Sequence, residues 1–313
     1  MARYLDPKND MTFKRIFGEH PRLLISFLNA LMPLAPGRRI ESLTYLSPEQ
    51  VPDSPLGKDS IVDVKCVDSL GRQFIVEMQM YWSEIFKSRM VFNASKAYVR
   101  QLGKGGNYRL LQPVYGLGII NDAFDRHTEE FYHHYQTINR YNTDEVIEGL
   151  EFVLIELEKF NPEKWADRKM AVLWLRFLRE IEDQTRKVPE GLLESEEIRE
   201  ALELCEEGAF TPEEMEAYDR HWDRISTEKG LNDQARAEGL AKGLAEGEAK
   251  GRAEGRAEGE AKGLAEGEAK GRVKELERII LTAHQNKLSI QQIQAFSGLS
   301  EDAVREILKR CAT

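Results

Sequence analysis

Residues 59–79 read DSIVDVKCVDSLGRQFIVEMQ. The glycine-containing run at the centre of this stretch is typical of a hairpin turn, so residues 60–67 and residues 73–80 are predicted to be two paired strands. Asp63 lies among isoleucine and valine in the first strand, where an acidic side chain is costly unless something binds it. Glu77 lies in the second strand. Two carboxylates that face each other across a hairpin can share a hard divalent cation, which makes this pair a candidate metal site.

The sequence on either side of the hairpin alternates between helical and extended patterns, which predicts an α/β fold. Asp10 precedes the first predicted helix, where it is either an N-cap or an additional acidic ligand. Helices are predicted over residues 11–17, 21–31, 82–102, 162–181, 195–207 and 211–225, and further strands over residues 39–46, 113–121, 131–138 and 150–157.

The charge of the chain is unevenly distributed. The formal net charge is −10, yet residues 1–112 contain 16 Lys+Arg against 11 Asp+Glu. Residues 113–236 contain 15 basic residues against 30 acidic ones. A polyanion is therefore expected to meet the first segment, although an excess of this size is also ordinary surface variation.

Composition excludes several classes of protein. Hydrophobic residues make up 41% of the chain, which is enough for a core and excludes a disordered chain. No apolar run reaches the roughly 18 residues of a membrane span, and the N-terminal residues lack the apolar region of a signal peptide. The cysteines Cys66, Cys205 and Cys311 are too far apart for a disulfide framework or a zinc site. We therefore expect a cytoplasmic protein with no membrane partner and no small-molecule cofactor.

Residues 237–272 form nine tetrads with alanine first and glycine third. Glutamate-to-lysine pairs four residues apart favour a helix, but nine glycines oppose a lone helix by about 9 kcal/mol. Because four residues slightly exceed one helical turn, the glycines form a slowly winding stripe that a second helix can approach closely. Residues 231–272 are therefore interpreted as either a helix that is stable when paired or a flexible spacer.

Residues 273–313 are predicted to be a small helical module. Ser289 and Gln292 match a capping box, and Gly298 lies in a turn before the last helix. The pattern is similar to a helix-turn-helix, but a net charge of +1 is weak for phosphate contact, which favours a protein-interaction module. A homodimer or larger assembly through residues 237–313 is predicted. Its apolar contacts are expected around Ile279, Ile293, Phe296, Val304 and Ile307.

Several motifs occur together in one order along the chain. They are DMTFKRIFG at residues 10–18, VDVK at 62–65, IVEMQ at 75–79, Arg89 and Tyr98 on the long predicted helix, and YRLLQPV at 108–114. This set resembles the PD-(D/E)xK nuclease superfamily and, within it, the recombination-promoting nuclease or nuclease-family transposase group. The resemblance covers nearly the whole chain and is most specific between residues 6 and 122.

The resemblance implies an α/β fold with a restriction-endonuclease-like core. The implied core covers residues 1–160, and an acidic helical extension follows over residues 161–230. The repeat over residues 231–272 and the helical module over residues 273–313 complete the predicted organisation.

The resemblance also implies an endonuclease that hydrolyses DNA phosphodiester bonds with Mg²⁺ or Mn²⁺, in recombination, mobile elements or defence against foreign DNA. Its implied metal ligands are the carboxylates of Asp63 and Glu77 and the carbonyl of Met78. Gln79 is the third implied catalytic residue and stands where the superfamily usually has lysine. Its amide can orient water or the scissile phosphate but is not a strong acid or base.

Two cations near these residues are further candidates. Lys65 shares a strand face with Asp63 and is a candidate phosphate contact. Arg89 either clamps the DNA backbone or lies over the protein surface. The glutamine at position 79 and the acidic middle segment also favour a rival function, a nuclease scaffold without turnover that acts as a DNA-binding or assembly protein.

Overall fold

The computed structural model describes residues 3–50, 60–183 and 185–310. The chain divides into two compact units, Met1–Leu231 and Asn232–Thr313. Asp59, at the start of the quoted stretch, and Cys311 lie outside the described residues.

The first unit combines strands and helices in the following order. The strands are β1 (Leu43–Tyr45), β2 (Glu49–Gln50), β3 (Ser60–Ile61), β4 (Val64–Asp68), β5 (Gln73–Gln79), β6 (Val114–Ile120), β7 (Tyr132–Asn139) and β8 (Asn142–Glu156). The helices are α1 (Asp10–Glu19), α2 (Pro21–Leu31), α3 (Ile85–Val99), α4 (Lys169–Glu180) and α5 (Glu196–Leu204), followed by the start of α6 (Pro212–Gln285).

Six strands form one mixed sheet in the order β1-β4-β5-β6-β8-β7, while β2 pairs with β3. Strand β6 is parallel to both of its neighbours, β5 and β8, and the other pairings are antiparallel. Its sequence, VYGLGII, is a continuous apolar run typical of a central strand covered on both faces. The mixed sheet and its helices confirm the predicted α/β class.

Helix α3 covers one face of this sheet, above two glycines of β6. A Cβ atom on Gly116 would lie 2.7 Å from Cδ1 of Phe152. A Cβ atom on Gly118 would lie 2.8 Å from Cδ2 of Leu154 and 3.0 Å from Cε1 of Phe86. These glycines therefore set how closely α3 approaches the sheet, and with it the position of the side chains that α3 presents to β5.

The main hydrophobic core lies on the opposite face of the sheet. There Phe17 of α1 and Phe27 of α2 lie 5.3 Å and 5.6 Å, between ring centroids, from Trp174 of α4. The indole nitrogen of Trp174 donates a hydrogen bond to Ser26 over 3.1 Å. Helices α4 and α5, from the predicted acidic extension, thus share one core with α1 and α2.

Two predicted strand boundaries are wrong. The strand predicted over residues 60–67 is interrupted, because the Val62 N–H donates to the Pro48 carbonyl over 3.2 Å and the chain leaves the edge of β5. Strand β8 begins at Asn142 rather than at residue 150, since its first half pairs with β7 alone. We call the whole hairpin of β7, β8 and the turn between them, residues 132–156, the β7–β8 arm.

The predicted helix starts also differ from the structure. The N-cap of α1 is Asn9, whose side-chain oxygen accepts from the Met11 N–H over 3.0 Å. The prediction of Asp10 as the N-cap is therefore wrong, and Asp10 is the first helical residue. Helix α4 begins at Lys169 because residues 162–165 form a separate 3-10 turn.

The second unit contains the remainder of α6 with α7 (Ile290–Ser297) and α8 (Glu301–Arg310). Its small core consists of the buried side chains Ile280, Ile293 and Val304 and their apolar neighbours. The predicted capping box at the start of α7 is confirmed, and Gly298 ends that helix at φ 71°. Among the described residues, no helix has the apolar length that a bilayer crossing requires.

Candidate active site

The interruption before β4 turns Asp63 toward β5. Val64 faces Val76 in the register of the two strands, so the preceding residue, Asp63, comes opposite Glu77. The Oδ2 atom of Asp63 accepts a hydrogen bond from the backbone N–H of Met78 over 2.7 Å. The carboxylate thus takes the place of the backbone acceptor that a continuous strand would offer to Met78.

Glu77 is buried beneath α3, and its two oxygens accept hydrogen bonds from two side chains one helical turn apart. Asn93 Nδ2 donates to Oε1 over 3.1 Å, and Arg89 Nη2 donates to Oε2 over 3.2 Å. The same nitrogen of Arg89 donates to Oε1 of Gln79 over 2.7 Å. Arg89 therefore bridges Glu77 and Gln79, which share one face of β5.

Burial raises the pKa of both carboxyl groups. Burial, and then the negative charge of Asp10, raise the pKa of Asp63 to about 6. Burial, and then the negative charge of Asp63, raise the pKa of Glu77 to about 7, against the opposing effect of Arg89. A half-buried and a buried carboxylate that repel each other favour the binding of a cation between them.

Asp10 and Lys14 of α1 lie on the other side of Asp63. The two side chains form an ion pair with a 2.8 Å separation, and both affect the pKa of Asp63, Asp10 raising it and Lys14 lowering it. Asp10 is thus close enough to influence Asp63, but its carboxylate is already paired with Lys14.

Lys65 lies apart from the carboxylate pair. It faces Ile75 in the register of β4 and β5, two residues before Glu77. Its pKa is lowered first by burial and then by the positive charges of Arg100 and Lys96. Lys65 therefore belongs with a group of cations next to the site, whereas Arg89 lies within the site.

Asn93 is the residue of this site that sequence reasoning misses. Its side chain is fully buried, and its Oδ1 atom has no hydrogen-bond partner among the described residues. The only sequence signal is its spacing of four residues from Arg89, which places both side chains on one helix face. An unpartnered buried oxygen beside Glu77 marks a point where the polar network is incomplete.

The donor atoms present fit a hard divalent cation. In the part of the chain that the structure describes, no three His, Cys, Asp or Glu side chains are grouped to hold a metal ion. A cation at Asp63 and Glu77 would therefore need neutral oxygens as well, and the carbonyl of Met78 lies next to Glu77 on the same strand. Carboxylate and neutral oxygens, completed by water, are the ligands that Mg²⁺ prefers, and the unpartnered Asn93 oxygen is a further polar atom beside this pair.

A family model described as PD-(D/E)XK nuclease family transposase matches residues 7–233. The chain belongs to this family. The family resemblance predicted from the motifs is thereby confirmed, and it supports a nuclease- or transposase-related function. Comparisons with curated proteins and with solved structures found no match.

The chain differs at one position from the PD-(D/E)XK motif for which its family is named. The last letter of the motif stands for lysine, and this chain has Gln79. The positive charge nearest to that position comes instead from α3, where Arg89 donates to the Gln79 amide oxygen. The match ends close to the boundary of the first unit, so most of the repeat and the last two helices lie outside it.

Proposed function

We propose that this protein is a divalent-metal-dependent endonuclease that hydrolyses DNA phosphodiester bonds. The observation that carries the proposal is the juxtaposition of the half-buried Asp63 and the buried Glu77, two carboxyls with raised pKa values on adjoining parts of the chain. Perturbed titratable groups of this kind are concentrated at functional sites. Membership in a nuclease family supports the same conclusion.

Asp63 and Glu77 would hold the cation, with the Met78 carbonyl as a neutral ligand. When bound, Mg²⁺ or Mn²⁺ supplies Lewis acidity that lowers the pKa of water and offsets phosphate charge. Asp63 keeps its orientation through the Met78 N–H, and Asn93 and Arg89 hold the two oxygens of Glu77.

Gln79 and Arg89 together would replace the lysine of the motif. The Gln79 amide orients a water molecule or a phosphate oxygen but carries no proton that it can give up. From its place between Glu77 and Gln79, Arg89 can donate to a phosphate oxygen. Lys65 would contact a neighbouring phosphate. Asp10 would raise the pKa of Asp63 without binding the cation itself.

The direct test is supercoiled plasmid incubated with the protein and Mg²⁺, beside an Asp63→Ala variant. Nicked or linear plasmid with the wild-type protein and intact plasmid with the variant would support the proposal. Thermal unfolding gives an independent measurement, because a cation that binds the folded state alone raises the Tm. An equal shift of Tm in wild-type and Asp63→Ala protein would contradict the ligand assignment.

A nuclease scaffold without turnover is the second candidate function, and one contact favours it. Arg89 already neutralises Glu77 and occupies the Gln79 oxygen, so the carboxylate has a permanent cation beside it. Such a protein would bind DNA without cutting it. Plasmid that is retarded on a gel but remains supercoiled in Mg²⁺ would favour this function over the first.

We also propose that residues 237–313 join two copies of the chain. A Cβ atom added to any repeat glycine from Gly239 to Gly271 would meet nothing within 4 Å, so this surface is open to a close neighbour. Ile279 and Phe296 are exposed on the second unit. The predicted contribution of Ile293 and Val304 is wrong, because both side chains are buried inside that unit. A dimer would bring two active sites to one duplex, so that both strands could be cut in one encounter.

A further inference from the structure

A pocket of about 300 Å³ lies between α3 and the β7–β8 arm. Its floor is apolar and consists of Met90 from α3 with Leu150, Phe152 and Leu154 from β8. These β8 side chains point to the α3 face of the sheet, as Glu77 does. The pocket therefore opens on the flank of α3 that faces β8, while Glu77 lies on the flank that faces β5.

The mouth of the pocket combines an aromatic ring with a cation. Tyr135 of β7 pairs with Phe152 and lines one side, and Lys87 of α3 lines another. The Lys87 Nζ atom lies 5.4 Å from the ring centroid of Tyr135 and 4.4 Å from that of Phe124. Among the described lining residues Lys87 is the only charged one, so the mouth is positive.

We infer that this pocket binds one unstacked nucleobase of the DNA substrate, with an adjoining phosphate on Lys87. This inference rests on the proposed function. The faces of a base are apolar and stack on aromatic side chains, which matches Tyr135 and the apolar floor. The polar edge of a base needs hydrogen-bond partners, and Gln136 and Thr137 supply them among the lining residues. The negative phosphate complements the single positive charge.

The pocket and the carboxylates of Asp63 and Glu77 are close enough for one DNA strand to reach both. Leu154 in the pocket floor is aligned with Gly118, and Gly118 with Glu77. Two steps between neighbouring strands amount to about 10 Å. The pocket and the carboxylates thus lie close together on the two flanks of α3, so a DNA strand that crosses α3 would reach both.

The pocket also determines which form of DNA is preferred. A base inside a continuous duplex has neighbours on both faces and cannot enter an apolar pocket without being unstacked. Single-stranded or frayed DNA does not have to break these stacks. The protein is therefore expected to bind single strands and frayed ends more tightly than an uninterrupted duplex.

The test compares binding of labelled oligonucleotides to full-length proteins by fluorescence anisotropy. EDTA is present to prevent metal-dependent cleavage, and a denaturing gel checks that the oligonucleotide stays intact. Tyr135→Ala removes the stacking ring. Tyr141→Ala is the matched control, because Tyr141 is a tyrosine of the same arm, is 97% exposed and does not line the pocket. Val91→Trp fills the pocket from α3 and leaves Tyr135 in place.

We expect Tyr135→Ala to weaken single-strand binding roughly 10-fold or more, the scale of one lost base–aromatic stack, with little change for duplex. Val91→Trp should have the same effect, and Tyr141→Ala should have none. Equal losses in Tyr135→Ala and Tyr141→Ala, or unchanged binding in Val91→Trp protein that melts like wild type, would overturn the inference. Thymidine monophosphate that binds as tightly as the oligonucleotide would also overturn it, because the occupant would then be a free nucleotide.

The outcome is separable from that of the proposed function. A protein that cuts plasmid but binds every oligonucleotide independently of Tyr135 lacks the base pocket and remains a nuclease. A protein that binds single strands through Tyr135 and never cuts DNA has the pocket and is not a nuclease.

Discussion

Arg89 and Glu77 form an ion pair with 3.2 Å between Nη2 and Oε2. The two side chains differ in exposure, since 42% of the arginine side chain is exposed and only 4% of the glutamate side chain. The guanidinium can leave for a phosphate oxygen in solvent, whereas the carboxylate stays buried beneath α3. Once Arg89 turns to a phosphate, Glu77 needs another positive charge, and a divalent cation bound with Asp63 supplies it. The two candidate functions therefore differ in where Arg89 resides when DNA is bound.

Replacing Arg89 by methionine should separate metal binding from cleavage. Methionine keeps an unbranched side chain but removes the charge that competes for Glu77, so the affinity for Mn²⁺ should be retained or increased. Plasmid cleavage should fall by about 10–1000-fold, the scale of one lost transition-state contact. Isothermal titration with Mn²⁺ and a plasmid assay measure the two quantities.

Arg186→Ala removes an exposed arginine between α4 and α5 and serves as the control. If Mn²⁺ binding and cleavage disappear together, Arg89 orders the site and does not act on phosphate.

The metal-free protein should become more stable at high pH when Glu77 is replaced by glutamine. The usual pKa of the carboxyl is 4.5, and burial raises it to about 7 in the folded state. Its contribution to stability is therefore complete below about pH 4.5 and is lost as the pH rises through about 7. Glutamine is neutral throughout and can offer its amide to the unpartnered Asn93 oxygen.

The measurement is the Tm in EDTA at pH 5 and pH 8. Glu77→Gln should raise the Tm relative to wild type more at pH 8 than at pH 5. Glu129→Gln is the control, because that side chain is 94% exposed. The same difference in Tm at both pH values would show that the Glu77 carboxyl does not titrate in this range.

Position 79 tests whether the amide takes part in the reaction. Gln79→Ala removes the group that orients water or phosphate and should lower the cleavage rate by about 10–1000-fold. Gln79→Lys restores the lysine of the family motif but puts a second cation next to Arg89, so partial activity is expected. Initial rates of plasmid nicking at saturating Mg²⁺ measure the effect. Three proteins with equal rates would place Gln79 outside the mechanism.

Gly118→Ala should lower the stability of the protein and weaken metal binding indirectly, through α3. The added Cβ atom would lie 2.8 Å from Cδ2 of Leu154 and 3.0 Å from Cε1 of Phe86, so these side chains must shift, and a shift of Phe86 would push α3 away from β6. Overpacking of this kind costs about 1–3 kcal/mol, and the movement would also displace Arg89 and Asn93 from Glu77. Urea unfolding gives the stability, and titration with Mn²⁺ gives the metal affinity. Gly103→Ala is the control, since a Cβ there meets nothing within 4 Å. An unchanged Mn²⁺ affinity would show that α3 does not position the ligands.

The hairpin and the pairing of Asp63 with Glu77 are predictable from sequence because alternation and turn residues are local signals. The position of Asn93 is not, because it depends on how close α3 comes to the sheet, and that distance is set by glycines of β6. The interruption at Val62 depends in the same way on the Pro48 carbonyl in another segment. The first half of strand β8 is not predictable in this way, because it is mostly polar and exposed and lacks an alternating apolar pattern.

The chain should form a dimer through its second unit. Among the residues of that unit that the structure describes, three apolar side chains are fully buried in its core, and the repeat helix carries the exposed leucines Leu240, Leu244 and Leu264. Pairing of two chains along the glycines would cover these side chains and offset the helix cost of the glycines. Light scattering should give a dimer for the full chain at micromolar concentration and a monomer for a chain truncated after Leu231. The truncated protein should keep the metal-dependent rise in Tm and continue to nick plasmid, but it should linearise plasmid less efficiently.

Ile279→Glu with Phe296→Glu in the full chain tests the apolar contact without truncation. A monomeric full chain, or a truncated chain that remains dimeric, would rule out assembly through residues 237–313.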